Sequence, residues 1–174
     1  RIAKAVNFWV IYGISPFGLS KMIGVPQSEA REYINKFYEK YPHVLNFFDR
    51  TIESCEKNGF VETMFGRKRY IPSINDSNAI IKKAAQREAI NMPIKGTSAD
   101  IIKLAMIQVD NFLKEQNLKS QMIMQVHDEL VFNVVPDELE IIQKNIPQIM
   151  ENIIDAPIKL VVDMWMGKNW RECK

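Results

Sequence analysis

The first twelve residues place two cations and two aromatic side chains at helical spacing. At about 100° per residue, four side chains project within roughly 80° of one another: Arg1, Lys4, Phe8 and Tyr12. Cations bind phosphates and aromatic rings stack on bases, so this face suits a nucleotide or a nucleic acid. The alternative is an ordinary amphipathic helix whose cations reach solvent while Phe8 and Tyr12 join the core.

A second candidate site lies late in the chain, where two apolar runs flank His127-Asp128-Glu129. Two adjacent carboxylates on a tight turn repel each other, and a bound divalent cation would relieve that repulsion. Mg²⁺ takes one or two carboxylates together with substrate phosphates. The alternative is a solvated turn, because turns favour Asp in any case.

The middle of the chain is basic and a later segment is acidic. Residues 61–103 carry eight Lys or Arg against four Asp or Glu, whereas residues 136–157 carry five acids against one lysine. Within the basic segment, Arg67 and Arg87 are candidates for phosphate contacts. Asn91 and Lys95 are candidates for minor-groove acceptors. The alternative is that the basic and acidic segments are ordinary solvated helix faces without a binding partner.

Periodicity and breakers predict the elements that must position these residues. Helices are expected at 2–12, 17–23, 29–38, 42–58, 79–90, 97–113 and 136–153. Strands are expected as a hairpin over 60–71, a hairpin of 121–126 with 130–135, and a last strand at 158–164. Pro93 is expected to break the fifth helix, with Thr97 capping the next. The predicted fold is α+β, a helix-rich segment followed by a small antiparallel sheet backed by helices.

Composition bounds the class of protein. The chain has 174 residues, 47% hydrophobic and 25% charged, which suits one domain or a pair of small ones. Cys55 and Cys173 lie far apart in the sequence, which argues against a disulfide framework and a zinc site. No apolar run approaches the roughly 18 residues that a membrane span needs, and no leader indicates secretion. Because the chain begins at Arg1 without a methionine, we expect it to be a piece of something longer.

Several stretches resemble motifs of the family A DNA polymerases, the bacterial DNA polymerase I group. In chain order they are Arg1-x-x-Lys4-x-x-x-Phe8-x-x-x-Tyr12-Gly13, Glu62-Thr63-x-Phe65-Gly66-Arg67-x-Arg69-Tyr70-x-Pro72, Arg87-x-x-x-Asn91-x-Pro93-x-x-Gly96-Thr97-x-Ala99-Asp100, Val126-His127-Asp128-Glu129 and Gly167-x-Asn169-Trp170. The resemblance covers essentially the whole chain. It implies a fingers subdomain with the first hairpin over residues 1–75, and the C-terminal part of a palm subdomain over 76–174.

The implied activity is template-directed addition of deoxynucleotides to a primer 3′ end, with two Mg²⁺ ions. The implied partners are primer–template DNA and deoxynucleoside triphosphates, with no membrane. The implied enzyme is a monomer in the bacterial cytoplasm or an organelle. A non-catalytic DNA-binding module on the same scaffold is the alternative, and a purely structural helical protein is a third possibility.

The resemblance also assigns roles to individual residues. Lys4 would grip the triphosphate and contribute to catalysis, Phe8 would stack on the nucleotide, and Tyr12 would gate the insertion site. Asp128 would hold the metal ions, with Glu129 in a supporting catalytic role. Arg1 would contact the nucleotide. The residues that would contact DNA are Arg67, Arg87, Asn91, Lys95 and His127.

Four departures from the family pattern bear on these roles. Trp9 stands where glycine is usual, and Lys95 where glutamine is usual. The motif's arginine just before Arg1 is not in the chain. The second palm aspartate belongs to a motif upstream of the first helix, so the chain alone is expected to be inactive.

Overall fold

The computed structural model describes residues 2–173. The α-helices are α1 (Ile2–Val10), α2 (Pro16–Ile23), α3 (Gln27–Lys40), α4 (Pro42–Asn58), α5 (Ala79–Glu115) and α6 (Leu139–Glu151). The strands are β1 (Phe60–Glu62), β2 (Lys68–Tyr70), β3 (Gln121–Val126) and β4 (Glu129–Asn133). Short 3₁₀ turns occupy Pro72–Asn75, Pro136–Glu138 and Trp170–Glu172. The predicted α+β class is confirmed.

Backbone contacts divide the chain into two compact units, Arg1–Thr97 and Ser98–Lys174. The division falls within α5 and therefore differs from the predicted subdomain boundary after residue 75. The assignment of fingers and palm subdomains stays a prediction.

The first unit has two apolar clusters. One joins α1, α2 and α3 through Val6, Val10, Leu19, Ala30, Ile34 and Phe37. The other joins α4, the β1–β2 hairpin and the first half of α5 through Cys55, Val61, Ile71, Ile74, Ala85, Ala89 and Met92. Strands β1 and β2 pair antiparallel, with Phe60 opposite Tyr70 and Glu62 opposite Lys68. This confirms the first predicted hairpin.

The predicted break at Pro93 is wrong, because α5 runs without interruption from Ala79 to Glu115. A proline inside a helix removes one hydrogen bond and costs about 3 kcal/mol. Tertiary packing offsets that cost, since Ala89 and Met92 before the proline and Ala105 after it are all buried. Thr97 caps no helix; its hydroxyl accepts a hydrogen bond from the Met64 backbone N–H at 3.0 Å.

The second unit packs the β3–β4 hairpin with α6 and the last turns of α5. Its core consists of Val109, Leu113, Ile142 and Ile146. Partly buried side chains from both strands pack against that core, among them Met122, Leu130 and Phe132. An irregularity between Met122 and Met124 shifts the strand register.

The predicted strand at 158–164 is wrong, since the structure gives these residues no regular strand pairing. A strand needs a hydrogen-bonded neighbour, and within residues 2–173 the second sheet contains only β3 and β4. The alternating apolar pattern there leaves Ile158 and Val161 about four-fifths exposed, at 82% and 77%. The Val162 N–H instead donates to Glu151 Oε1 at 3.1 Å.

Candidate functional site

Helix α1 presents Lys4 and the Phe8 ring to solvent. Val6 and Val10 are buried and fix the helix on the core, whereas Lys4 is exposed and Phe8 is 53% exposed. The alternative in which Phe8 joins the core is therefore wrong, and these residues divide into a buried apolar face and an exposed face, as predicted. Arg1 lies outside the described residues.

Tyr12 lies beyond the end of α1, because the helix stops at Val10 and does not continue to Tyr12 as predicted. The Tyr12 N–H donates to the Trp9 carbonyl at 3.1 Å, and the Gly13 N–H donates to the Val10 carbonyl at 2.9 Å. These bonds form a turn in which Gly13 has φ +71°, a conformation that favours glycine. In the sequence, Gly13 indicates that the helix ends nearby. Periodicity alone did not show that it ends at Val10 and not at Tyr12.

Three aromatic rings follow one another along this segment. The Phe8 ring meets the Trp9 ring edge-on with 5.3 Å between centroids, and the Tyr12 ring edge-on at 5.2 Å. Edge-to-face pairs at these distances are favourable. Trp9, which stands where the family usually has glycine, is 39% exposed and packs beside Phe8.

Helix α5 contacts the turn after α1. The Asn91 side-chain amide donates to the Tyr12 carbonyl at 3.3 Å, and the Lys95 ammonium lies 4.7 Å from the centre of the Tyr12 ring. A Cβ on Gly13 would lie 2.6 Å from Ile90 Cδ1 and 3.8 Å from Arg87 Cγ. The structure thus brings Tyr12 together with Arg87, Asn91 and Lys95. About eighty residues separate Tyr12 from these three, so local sequence patterns did not predict the contacts.

Arg67 is built into the first hairpin. Its guanidinium donates to the Gly96 carbonyl at 3.1 Å, and its backbone N–H donates to the buried Thr63 hydroxyl at 3.2 Å. Thr63 also accepts from the Phe65 N–H at 3.3 Å, so one hydroxyl organises the turn around Gly66. The Arg67 side chain is exposed overall but is anchored to α5.

Three more cations of the basic segment have partners within the chain: Lys68, Arg69 and Lys82. Lys68 Nζ lies 4.3 Å from the centre of the Phe60 ring, and Arg69 Nε donates to Glu88 Oε1 at 2.7 Å. Lys82 pairs with Glu56 at 2.9 Å, which lowers the pKa of that carboxyl through a hydrogen bond and charge attraction. Local periodicity did not predict these pairs, because the two partners of each pair lie on different elements.

The hairpin tip in the second unit is a two-residue turn, His127-Asp128. Val126 pairs with Glu129, so Glu129 is the first residue of β4 and the predicted three-residue tip is wrong by one residue. His127 has φ +54°, which is uncommon for a residue with a Cβ. The three side chains of His127, Asp128 and Glu129 are exposed.

Glu138 closes the base of this hairpin. Its carboxylate accepts from the Lys119 N–H at 2.8 Å, the Ser120 N–H at 2.8 Å and the Ser120 hydroxyl at 2.6 Å. The Ser120 hydroxyl in turn accepts from the Val135 N–H at 2.9 Å. The Lys119 backbone bond and the Ser120 bonds hold the pKa of Glu138 below its usual range. In the sequence, Glu138 contributed only to the acidic charge of residues 136–157. In the structure its hydrogen bonds join both ends of the hairpin.

The residues present supply part of a divalent-cation site. Carboxylate oxygens of Asp128 and Glu129 are ligands of the kind that Mg²⁺ prefers. No group of three or more His, Cys, Asp or Glu side chains within residues 2–173 is arranged to hold a metal ion. The donor chemistry fits Mg²⁺, whereas the number of described donors leaves the set incomplete.

The architecture is that of a polymerase domain. The structure matches the "POL domain of Pol1 from M. smegmatis complex with DNA primer-template and dNTP" with a TM-score of 0.95 and 33% identity. That match covers 99% of this chain and 30% of the other.

The particular family follows from the sequence comparison. The model of DNA polymerase family A matches residues 1–172, and the chain belongs to this family. It is 47% identical over 172 residues to DNA polymerase I of Pseudomonas aeruginosa, covering 99% of this chain and 19% of that protein. It is 40% identical over 174 residues to DNA polymerase I of Bacillus subtilis, covering 100% of this chain and 20% of that protein. The chain thus spans about a fifth of the length of these relatives. Within the described range, no helix is long and apolar enough to cross a membrane.

Proposed function

We propose that this chain forms the nucleotide-binding and part of the metal-binding portion of a template-directed DNA polymerase. The observation that carries the proposal is the match over 99% of the chain to a polymerase domain complexed with primer–template and dNTP. The family assignment over residues 1–172 supports the same activity. The proposed enzyme adds deoxynucleotides to a primer 3′ end as a monomer, and its bacterial relatives support a cytoplasmic location.

The exposed groups of the first unit suit the incoming nucleotide. Lys4 offers an ammonium for the triphosphate, and Phe8 offers an exposed ring for stacking. Tyr12 gates the insertion site in this proposal, and Arg1 is assigned to the same nucleotide. Arg67, Arg87, Asn91 and His127 are assigned to primer–template DNA.

Asp128 is the proposed ligand of two Mg²⁺ ions, with Glu129 beside it in a supporting catalytic role. When bound, the two ions lower the pKa of the attacking hydroxyl and stabilise the leaving pyrophosphate. The remaining oxygen ligands are proposed to come from outside this chain, since the described donors leave the set incomplete. Hydrogen bonds among Glu138, Ser120 and Val135 join the two ends of the hairpin that carries Asp128.

A chimera tests this function. The chain replaces the matching 172-residue segment of the Pseudomonas aeruginosa DNA polymerase I. We expect Mg²⁺-dependent primer extension, and we expect Asp128→Asn to abolish it while primer–template binding is retained. The exposed Asp137, changed to Asn, is the matched control and should leave extension intact.

The same assay separates the proposal from its alternatives. A folded chimera that binds primer–template but extends no primer contradicts the enzyme and supports the non-catalytic DNA-binding module. A folded chimera that neither binds nor extends supports a structural role. Circular dichroism of the chimera against the parent polymerase establishes folding in each case.

A further inference from the structure

The Lys95 ammonium contacts the ring of Tyr12. Lys95 is exposed on α5, and its Nζ lies 4.7 Å from the Tyr12 ring centre. A lysine within about 6 Å of an aromatic face is attracted to it. The charge that stands in place of the family's usual glutamine therefore has a partner within the chain.

The backbone of Tyr12 is fixed independently of that contact. Asn91 donates to the Tyr12 carbonyl at 3.3 Å, and Gly13 lies so close to Ile90 that an added Cβ would come within 2.6 Å of it. These contacts set where the Tyr12 backbone lies and leave the direction of its side chain open. The Tyr12 ring itself has two contacts: the Phe8 ring, with 5.2 Å between centroids, and the Lys95 ammonium, 4.7 Å from the ring centre.

We propose that Lys95 is a positioning residue that orients Tyr12 in the nucleotide site, and that it is not primarily a DNA contact. The proposal rests on the proposed function, which assigns Tyr12 to that site. It replaces the expectation that Lys95 contacts primer–template DNA.

The contact energy sets the size of the effect. A cation–π contact at an exposed site contributes about 0.5–1 kcal/mol, which is an equilibrium ratio of about 2- to 5-fold. Without Lys95, the ring occupies its binding-competent orientation less often, and apparent nucleotide affinity falls by that fraction. Primer–template affinity is unaffected if Lys95 acts only through Tyr12.

The test is a comparison of Lys95→Met and Lys95→Arg in the chimera with the Pseudomonas aeruginosa polymerase. We expect Lys95→Met to raise the KM for the incoming dNTP about 2- to 5-fold and to leave the primer–template Kd unchanged. Lys95→Arg keeps a cation over the ring and should restore the starting KM. Lys103→Met, which removes the charge of another exposed lysine of α5, is the matched control and should change neither value.

A double-mutant cycle identifies Tyr12 as the residue through which Lys95 acts. In a Tyr12→Leu background, Lys95→Met should have no further effect on KM. The proposal is overturned if Lys95→Met weakens primer–template binding by the same factor as it raises KM. An equal KM effect in the Tyr12→Leu background also overturns it.

A stability cycle on this chain keeps the contact testable apart from activity. Lys95→Met and Tyr12→Leu should show a coupling of about 2- to 5-fold in the unfolding equilibrium constant. Absence of coupling contradicts the proposal. Absence of primer extension by the unmutated chimera contradicts the proposed function instead, so the two failures are distinguishable.

Discussion

Single residues on α1 divide between anchoring and exposure. Val6 and Val10 are buried, whereas Lys4 and Phe8, each two residues from a buried valine, are exposed. This division follows from the 3.6-residue period, so the sequence alone predicted it. The packing of Trp9 on Phe8 was not predictable, because an edge-to-face contact depends on side-chain rotamers rather than on spacing.

The exposed Lys4 ammonium is the residue on which nucleotide affinity should depend most directly. In the chimera, Lys4→Met should raise the KM for dNTP at least about tenfold, because a charge-assisted contact to phosphate contributes about 1.5–3 kcal/mol. The primer–template Kd should change less than the KM. Steady-state kinetics beside a binding titration measures both values.

Lys36→Met is the control for this prediction, since Lys36 is an exposed lysine of α3 in the same unit. It should leave both values near those of the starting chimera. Equal losses of nucleotide and primer–template affinity in Lys4→Met would contradict the role assigned to Lys4.

At the scale of elements, local sequence signals predicted helix ends and hairpins better than they predicted interactions between distant parts of the chain. Pro16, Pro42 and Gly59 mark helix ends, and α2 and α4 begin or end beside them as expected. The first hairpin was predicted from a β-like segment folded around Gly66, and the second from two apolar runs on either side of His127-Asp128-Glu129. The interruption at Pro93 and the strand at 158–164 were wrong because packing and strand pairing are properties of the folded chain.

The close approach of the α1 turn to α5 makes Gly13 a sensitive position. Gly13→Ala adds a side chain at φ +71° and places its Cβ 2.6 Å from Ile90 Cδ1. We expect a loss of unfolding free energy of more than about 1 kcal/mol. Urea denaturation of the chain, followed by circular dichroism, measures it.

Gly24→Ala separates the two causes of that loss. Gly24 has nearly the same φ, +72°, and its added Cβ would meet nothing within 4 Å. It should therefore report the backbone cost alone and be the milder change. If both variants lose the same stability, the contact with Ile90 contributes nothing.

The Glu138 carboxylate makes the stability of the second hairpin depend on pH. Hydrogen bonds from Lys119 and Ser120 lower the folded-state pKa of Glu138. A lowered pKa stabilises the fold above the ordinary Glu value of about 4.3, and this stabilisation is lost as pH falls through the folded-state value. Glu138→Gln should therefore destabilise the chain at pH 7 and have a shrinking effect below about pH 4.

Urea denaturation of the chain and of Glu138→Gln at pH 7 and pH 3.5 tests this dependence. Glu140→Gln is the control, since Glu140 is an exposed neighbour in α6. A Glu138→Gln effect that stays constant across this pH range would argue against the hydrogen-bonded carboxylate as its cause.

The chain contains two compact units, and each unit carries some of the residues with proposed roles. Phe8, Tyr12, Asn91 and Lys95 belong to the first unit, and His127, Asp128 and Glu129 to the second. Motif order in the sequence predicted which residues to consider. Their contacts within the first unit were not predictable, because they depend on how α5 packs beside the end of α1.

The incomplete donor set leads to a prediction for the chain by itself. Asp128 and Glu129 alone should not support nucleotide addition, because two-metal transfer requires ligands for both ions. A primer-extension assay with the 174-residue chain should show no Mg²⁺-dependent product. Extension by these residues alone would mean that they complete the metal site themselves.

The central proposal is that this chain, joined to the rest of a family A polymerase, supports nucleotide addition directed by a template. The most direct measurement is single-nucleotide incorporation by the chimera opposite each of the four template bases in turn. We predict that the complementary dNTP is added in each case and that Asp128→Asn removes all four products. Absence of incorporation by the folded chimera, or the same nucleotide added whatever the template base, would contradict the claim.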